Sequence, residues 1–183
     1  MKIDLFPTTV RKYHVPNNDD FISYWNKEYD DCKFKEISPL VMAYKQLAHE
    51  ELNVSYHDIV DQFMNDIGAN ETHTYGLQTF IFKCLEQGES IDAGDFLPSH
   101  YTFVHYINDC KKSDLFYHPV KQLARSFDPT NVSDWMWDTG LYVNAGDVLI
   151  YPSYIETSSP KNELTDPRMT VTVPIVLKPN EQG

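Results

Sequence analysis

The segment Gly146-Asp147-Val148-Leu149-Ile150-Tyr151-Pro152-Ser153-Tyr154 contains the apolar run of a β-strand, Val148–Tyr151, between a glycine turn and a proline. A second segment, Met169–Leu177, alternates between two kinds of residue. One set is Met169, Val171, Val173, Ile175 and Leu177, and the other is Thr170, Thr172, Pro174 and Val176. Because successive side chains of a strand point to opposite faces, this alternation predicts a strand with one packed face and one partly solvated face.

The whole chain after Thr72 is rich in β-branched and aromatic residues. Further strands are predicted at 75–85, 101–107, 115–118 and 141–143. Helical spacing is confined to the residues before Thr72. Segregated helices and strands indicate the α+β class, in which the strands form a sandwich or jelly roll and the helices cover one outer sheet face.

The first 71 residues predict one marginal strand and three helices. The strand spans residues 1–13 and is broken at Pro7. The first helix is capped by residues 17–19 and buries a stripe at helical spacing, Phe21, Ile22, Trp25 and Tyr29. Ser38-Pro39 predicts a second helix that runs to about Leu52, and Ser55 begins a third that stops at Gly68. His49 and His57 are interpreted as surface or cap residues of these helices.

The length of 183 residues predicts a single domain, 1–183, in which an N-terminal strand and helices (1–71) pack on a strand-rich core (72–178). Three widely spaced cysteines predict reduced thiols. The N-terminus lacks the pattern of a secretory signal, and no apolar run is long enough to span a bilayer. A net charge of −12 repels phosphate groups, so neither nucleic acid nor a membrane is expected as a partner.

The glycine-aspartate strand that ends in Tyr151-Pro152-Ser153, followed by Arg168-Met169-Thr170, resembles the C-terminal half of phage and bacterial 2-oxoglutarate- and iron(II)-dependent oxygenases. In that family a G-D strand ends in F-P-S, an iron-binding histidine follows, and R-x-S opens the next strand. Weaker similarity is found in three further segments: Leu5–Thr8, Thr102–Ile107 and Leu115–Pro119. The resemblance implies a double-stranded β-helix of the jelly-roll or cupin type, flanked by N-terminal helices.

The resemblance also implies where iron ligands should lie, namely two histidines and one carboxylate that leave open positions for 2-oxoglutarate and dioxygen. The first pair should precede the strand at 102–107, where Asp92-Ala93-Gly94 or His100-Tyr101-Thr102 stands instead. The distal histidine should follow the P-S-Y segment, where Glu156 and Thr157 stand. The expected iron ligands are therefore altered at four degenerate positions, which are Asp92, His100, Glu156 and Thr157. We expect that the chain holds no iron.

Arg168 and Thr170 fit the R-x-S pattern, in which the guanidinium binds the far carboxylate of 2-oxoglutarate and the hydroxyl adds a hydrogen bond. An arginine in a strand also pairs with ordinary carboxylates, for example Asp147 or Asp166. We favour this second interpretation over a retained cosubstrate site.

Two other groups are candidates. His105 and His118 lie in predicted strands and would form an irregular metal site with Glu156 or Asp92 if they faced the barrel interior, although core histidines more often make hydrogen bonds. Trp135 and Trp137 lie among acidic residues in a predicted loop, where they are candidates for an interface or for plugging the barrel end.

The sequence therefore favours a non-catalytic relative of these oxygenases, a structural or interaction protein of a phage virion or a homo-oligomer, in the cytoplasm of the producing cell or in the virion. No cofactor is expected. The alternative is a working dioxygenase that uses Fe(II) and 2-oxoglutarate with displaced ligands such as His100, His105 and Glu156 or Asp92. A third interpretation is a metal-free sensor of small acids that uses Arg168 and Thr170.

Overall fold

The computed structural model describes residues 2–5, 8–32, 40–45, 47, 49–92, 98–117 and 138–180. The elements in chain order are β1 (Lys2–Leu5), β2 (Thr8–His14), α1 (Asn18–Cys32), β3 (Leu40–Tyr44), α2 (Glu50–Asp66), β4 (His73–Leu77), β5 (Phe80–Leu85), β6 (Tyr101–Tyr106), β7 (Lys111–Lys112), β8 (Leu115–Tyr117), β9 (Asp138–Thr139), β10 (Tyr142–Val143), β11 (Asp147–Pro152), β12 (Thr157–Ser158) and β13 (Arg168–Pro179). Neither described helix is long and apolar enough to cross a membrane.

One large sheet of eight strands organises the chain. Its order is β1-β2-β11-β6-β13-β5-β3, and β4 pairs with the end of β13 beyond β5. All of these pairings are antiparallel. A smaller sheet has the order β12-β8-β9, and β10 pairs with β7. The strands predicted from the two C-terminal segments, β11 and β13, both flank β6 near the middle of the large sheet.

Two hydrophobic cores lie on opposite faces of the large sheet. The helix-side core joins α1 and α2 to the sheet through large side chains that include Trp25, Tyr56, Phe82 and Phe103. The barrel core lies on the other face, where Val104, Tyr106, Leu149 and Tyr151 meet Phe116 of the small sheet. Both faces of β13 are consequently buried from Arg168 to Ile175, so the predicted partly solvated face is wrong for these residues.

The N-terminal predictions are partly confirmed. The first strand breaks between β1 and β2, and α1 buries Phe21 and Trp25 as expected. The helix predicted from Ser38 to Leu52 is wrong: Leu40–Tyr44 is the strand β3, paired with β5. Its apolar residues fit helical spacing as well as a strand, and pairing with β5 satisfies the backbone of a run too short to fold alone as a helix.

The third predicted helix is confirmed, but it starts earlier than Ser55. Helix α2 begins at Glu50, with His49 in the capping position, and the Ser55 hydroxyl lies inside the helix, where it donates to the Glu51 carbonyl. The predicted stop at Gly68 is confirmed, because this residue has φ 69° directly after the helix.

Candidate functional site

Arg168 is the first residue of β13, and its side chain lies in the barrel core. The guanidinium Nη2 donates to Asp114 Oδ1 at 2.9 Å, and each of the two side chains is only 5% exposed. Ser159 Oγ donates to the same carboxylate oxygen at 2.8 Å. Asp114 lies in the connection between β7 and β8, so this buried ion pair ties the large sheet to the small one.

The aromatic ring of Tyr106 completes the surroundings of the ion pair. The guanidinium carbon lies 5.8 Å from the ring centroid, within the range of a cation–π contact. The Tyr106 hydroxyl accepts the backbone N–H of Asp114 at 3.1 Å. Burial raises the pKa of Tyr106, so the phenol stays neutral beside the guanidinium.

Electrostatics keep Arg168 charged despite its burial. Loss of solvation alone would lower the pKa of the guanidinium, but the adjacent Asp114 carboxylate outweighs that effect, and the pKa is raised. Burial lowers the pKa of Lys83 on the neighbouring strand β5, partly against the attraction of Asp114. Arg168 Nε is buried and finds no hydrogen-bond partner among the described residues.

Thr170 shares the inner face of β13 with Arg168. In the strand register it lies opposite Tyr106 on one side and Lys83 on the other, and it is buried. The structure thus brings the two residues of the R-x-S-like pattern together on one face. The partner of Arg168, however, is Asp114, and neither Asp147 nor Asp166 has this role: Asp147 pairs with Lys12 at 2.6 Å, and the backbone carbonyl of Asp166 accepts from Asn162.

His105 faces away from the barrel core, so the condition for an irregular metal site in the barrel interior is not met at this residue, and the favoured interpretation of a hydrogen-bonded core histidine fits. It shares the helix-side face of β6 with Phe103 and lies against Phe21 and Tyr56. Its Nδ1 lies 2.9 Å from the Tyr56 hydroxyl and its Nε2 lies 2.9 Å from Asn18 Oδ1.

Both contacts of His105 are satisfied by one neutral tautomer, in which Tyr56 donates to Nδ1 and Nε2–H donates to Asn18. The Asn18 amide then donates to the Ile107 carbonyl at 2.8 Å. Burial lowers the pKa of His105 to about 3, so the ring is neutral at pH 7. His105 is therefore a structural residue of the helix-side core, and its lone pair at Nδ1 is already used.

The positions predicted for degenerate iron ligands are only partly brought together. A β-bridge between Ile91 and Ser159 places the chain at Asp92 beside β12, which contains Thr157. Asp92 and Glu156 are exposed, whereas Thr157 is buried, with its hydroxyl 3.4 Å from that of Tyr151. His100 is exposed, and its Nδ1 accepts the backbone N–H of Leu177.

Within the described ranges no three His, Cys, Asp or Glu side chains are grouped to hold a metal ion. His118, Trp135 and Trp137 lie outside the described residues.

No protein-family model and no curated protein sequence matches this chain. Solved structures do match along most of its length. A viral collagen prolyl hydroxylase from Paramecium bursaria Chlorella virus-1, in a 2-oxoglutarate complex, has a TM-score of 0.61 at 9% identity over 91% of this chain and 94% of its own. The chain has the fold of the 2-oxoglutarate-dependent oxygenases.

Two bacterial proteins are also similar to this chain in structure. A Pseudomonas putida prolyl-4-hydroxylase has a TM-score of 0.57 at 12% identity, with 91% of each chain covered. HygX from Streptomyces hygroscopicus, with nickel and 2-oxoglutarate bound, has a TM-score of 0.60 at 10% identity over 91% of this chain and 82% of its own. The predicted double-stranded β-helix with flanking helices is thereby confirmed. At sequence identities of 9–12%, these comparisons show a shared fold.

The described residues of this β-helix do not fit the iron centre that the resemblance implies. Of the degenerate positions, Asp92 carries a carboxylate on the surface, and Thr157 offers a neutral hydroxyl, a weak ligand for iron(II) where an imidazole is needed. Arg168 is present, but its charge is already matched by Asp114. A cosubstrate carboxylate would have to displace this internal one.

Proposed function

We propose that this chain is a non-catalytic β-helix protein that acts as a structural or interaction component. The observation that carries the proposal is the ion pair between Arg168 and Asp114, which occupies the arginine that the resemblance assigns to 2-oxoglutarate. In the family pattern a ligand supplies the negative charge at this point, whereas here the chain supplies it.

The energetics of the barrel core support this proposal. Breaking a buried ion pair by removing one partner typically costs about 3–5 kcal/mol, because a charge is left unpaired away from water. A dicarboxylate that displaced Asp114 would leave that side chain as the unpaired charge, with Tyr106 and Ser159 around it. The internal carboxylate also has an advantage over any free cosubstrate, because the fold already holds it beside the guanidinium and no translational freedom is lost when the pair forms.

The proposed partners are proteins, either further copies of this chain or other components of a phage particle. Support for the phage setting comes from the resemblance of residues 90–177 to phage versions of the oxygenases. A β-helix without an iron centre keeps a rigid two-sheet scaffold, and such scaffolds serve binding and assembly as readily as catalysis.

The alternative function is an Fe(II)- and 2-oxoglutarate-dependent dioxygenase. The observation that favours it is the likeness to prolyl hydroxylases over 91% of the chain. It would require His100, His105 and either Glu156 or Asp92 to converge on one metal. Of these residues, His105 is buried and the others are exposed.

One reconstitution experiment separates the two functions. Purified protein is loaded anaerobically with Fe(II) and given 2-oxoglutarate, and we measure bound iron, the heat of 2-oxoglutarate binding, and succinate after admission of oxygen. We expect no stoichiometric iron, no saturable heat and no succinate above the protein-free blank. A working prolyl hydroxylase run in parallel shows that the assay detects turnover. Stoichiometric iron together with succinate would overturn the proposal and establish the dioxygenase.

The assembly role needs its own measurement. Particles purified from a lysate of the source are analysed by quantitative mass spectrometry, and the purified chain is sized by light scattering. A fixed copy number per particle, or a defined oligomer, is the expected result. A chain that is monomeric and missing from the particles contradicts this role.

A further inference from the structure

An open cavity of about 660 Å³ lies between α2 and β4. Its lining includes His57 and Asp61 of the helix, Asn70 of the following turn and residues 73–75 of the strand. No residue of the barrel core lines it, so the cavity is separate from the buried ion pair. Its volume falls within the range of about 300–1,000 Å³ typical of ligand sites.

Two aromatic rings stand together in the lining of this cavity. The ring centroids of His57 and Tyr75 are 5.6 Å apart, and the two planes are inclined by 33°. The Tyr75 hydroxyl donates to the His57 carbonyl at 3.2 Å and lies 3.0 Å from Nδ1 of the same histidine. Because the helix and the strand hold the two rings against each other, the aromatic surface is formed in advance, and little ordering is needed when a ligand binds.

The same lining has a negative charge. Asp61 is its acidic residue, beside two histidines, and no lysine or arginine is present in it. The Asp61 carboxylate forms no salt bridge within the described part of the chain. Burial and the adjacent Asp61 raise the pKa of Tyr75, so the phenol stays neutral. The cavity therefore offers a cation both aromatic faces and a carboxylate.

The acidic surface continues along α2 beyond the cavity. The segment 46–82, which contains the whole lining, has six acidic residues and no lysine or arginine. Glu51, Asp58 and Asp61 are exposed, and their spacings of seven and three residues place them on one side of the helix. They extend over about 15 Å, a length that about five extended residues of another chain would cover. This charge pattern is complementary to a basic peptide segment.

Among biological cations, a guanidinium group fits the lining best. It is planar, so it can stack on an aromatic ring while its N–H groups donate to a carboxylate and to amide oxygens. Asn65 and Asn70 supply such amide oxygens in the lining. An ammonium group interacts as a point charge and has no flat face to stack. The cavity should therefore prefer arginine to lysine.

We propose that this cavity binds an arginine side chain from a basic segment of a partner protein. The guanidinium stacks on the ring pair of His57 and Tyr75 and donates to Asp61, and further cationic residues of the segment lie along Glu51 and Asp58. This inference rests on the proposed function, because it names the surface through which an interaction component binds its partner.

The test is fluorescence anisotropy of the full chain with two labelled peptides at constant ionic strength. One probe is Gly-Arg-Gly-Arg-Gly-Arg-Gly, and the other has lysine in place of each arginine. The wild type is compared with Asp61→Asn and with the charge-matched control Asp31→Asn. Asp31 is exposed near the end of α1 and lies outside the cavity, so the control separates binding at the site from general attraction by the net charge of −12.

We expect the wild type to bind the arginine peptide saturably and about threefold or more tighter than the lysine peptide. Asp61→Asn should weaken binding of the arginine peptide by about tenfold, as expected for the loss of one charged hydrogen bond, and Asp31→Asn by less than about twofold. The absence of saturable binding, equal affinities for the two peptides, or equal weakening in the two variants would overturn the site.

The stacking surface is tested with Tyr75→Leu, which removes the ring, and Tyr75→Phe, which keeps the ring without its hydroxyl. Circular dichroism checks that both variants are folded. The preference for arginine over lysine should be lost in Tyr75→Leu and kept in Tyr75→Phe. A preference that survives in Tyr75→Leu contradicts stacking on this ring.

Two further outcomes are distinguishable. Light scattering of the chain without peptide detects self-association, and an oligomer that dissociates in Asp61→Asn would assign the surface to a second copy and overturn the basic partner. Loss of peptide binding contradicts this site alone. Stoichiometric iron together with succinate contradicts the proposed function, whichever peptide the chain binds.

Discussion

Replacing Asp114 by alanine should destabilise the chain strongly. Arg168 is 5% exposed and keeps its charge, so the variant contains an unpaired guanidinium in the barrel core. Such losses cost about 3–5 kcal/mol, and the lost hydrogen bond from Ser159 adds about 1 kcal/mol. Because small domains are stable by about 5–15 kcal/mol, the variant should lose a large fraction of its free energy of unfolding.

The matched control is the double variant Asp114→Leu/Arg168→Met. Exchanging both partners of a buried pair for apolar residues is often neutral or stabilising, so the double variant should lie within about 2 kcal/mol of the wild type. Asp114→Ala is thus expected to be less stable than the variant with two changes. That order of stabilities distinguishes a buried charge pair from two unrelated core residues.

Urea unfolding, followed by circular dichroism and tryptophan fluorescence, measures these free energies. Trp25 is a suitable reporter, since its ring stacks on Phe82 at 4.6 Å in the helix-side core. Added acetate should rescue Asp114→Ala by entering the space of the lost carboxylate, with about 2.7 kcal/mol recovered at a concentration 100 times the dissociation constant. If Asp114→Ala costs less than about 1 kcal/mol, or if the double variant is less stable than the single one, the reasoning is refuted.

Two further predictions concern single residues. The pKa of His105 is about 3 in the folded chain, below its ordinary value, so only the unfolded state takes up this proton as the pH falls from 6.5 towards 3. Lowering the pH from 6.5 to 4.5 should therefore reduce the free energy of unfolding by about 2.3 kcal/mol, since the unfolded histidine is already half-protonated at pH 6.5. His105→Gln should abolish this loss in urea unfolding across that range, and equal pH slopes in the variant and the wild type would contradict the prediction. Lys111 has φ 58°, so Lys111→Gly should stabilise the chain by about 1 kcal/mol in thermal unfolding, whereas Lys111→Ala, which removes the same charge, should not.

Most strands of the large sheet could be predicted because their signals are local. Gly146 has φ 81°, and a Cβ there would lie 2.8 Å from His14, so the glycine-aspartate turn before β11 has a clear backbone requirement. The alternating residues of β13 predicted a strand, but they did not predict that both faces of this strand are buried. β3 was missed because its five residues fit a helical stripe, and only their pairing with β5 decides between the two.

The contacts at the site could not be predicted from the sequence, for a different physical reason. His105 and Tyr106 are both fully buried on opposite faces of β6, so polarity along the sequence cannot reveal which of the two faces the barrel core. Asp114 and Arg168 are separated by 54 residues. Asp114 lies in the connection between β7 and β8, whereas Arg168 begins β13, and no spacing rule joins the two. The only sequence signal was the presence of an acidic residue directly before the strand at 115–118.

The pairing of Arg168 with Asp114 also changes what the arginine pattern means in this fold. A β-helix that binds no dicarboxylate would leave a strand-borne arginine as an unpaired buried charge, which is strongly destabilising. Either the arginine must be replaced, or the chain must supply a carboxylate from another element; here Asp114 supplies it. In this chain, Asp114 and Arg168 therefore act together as a cross-link between β13 of the large sheet and the connection that leads into β8 of the small sheet.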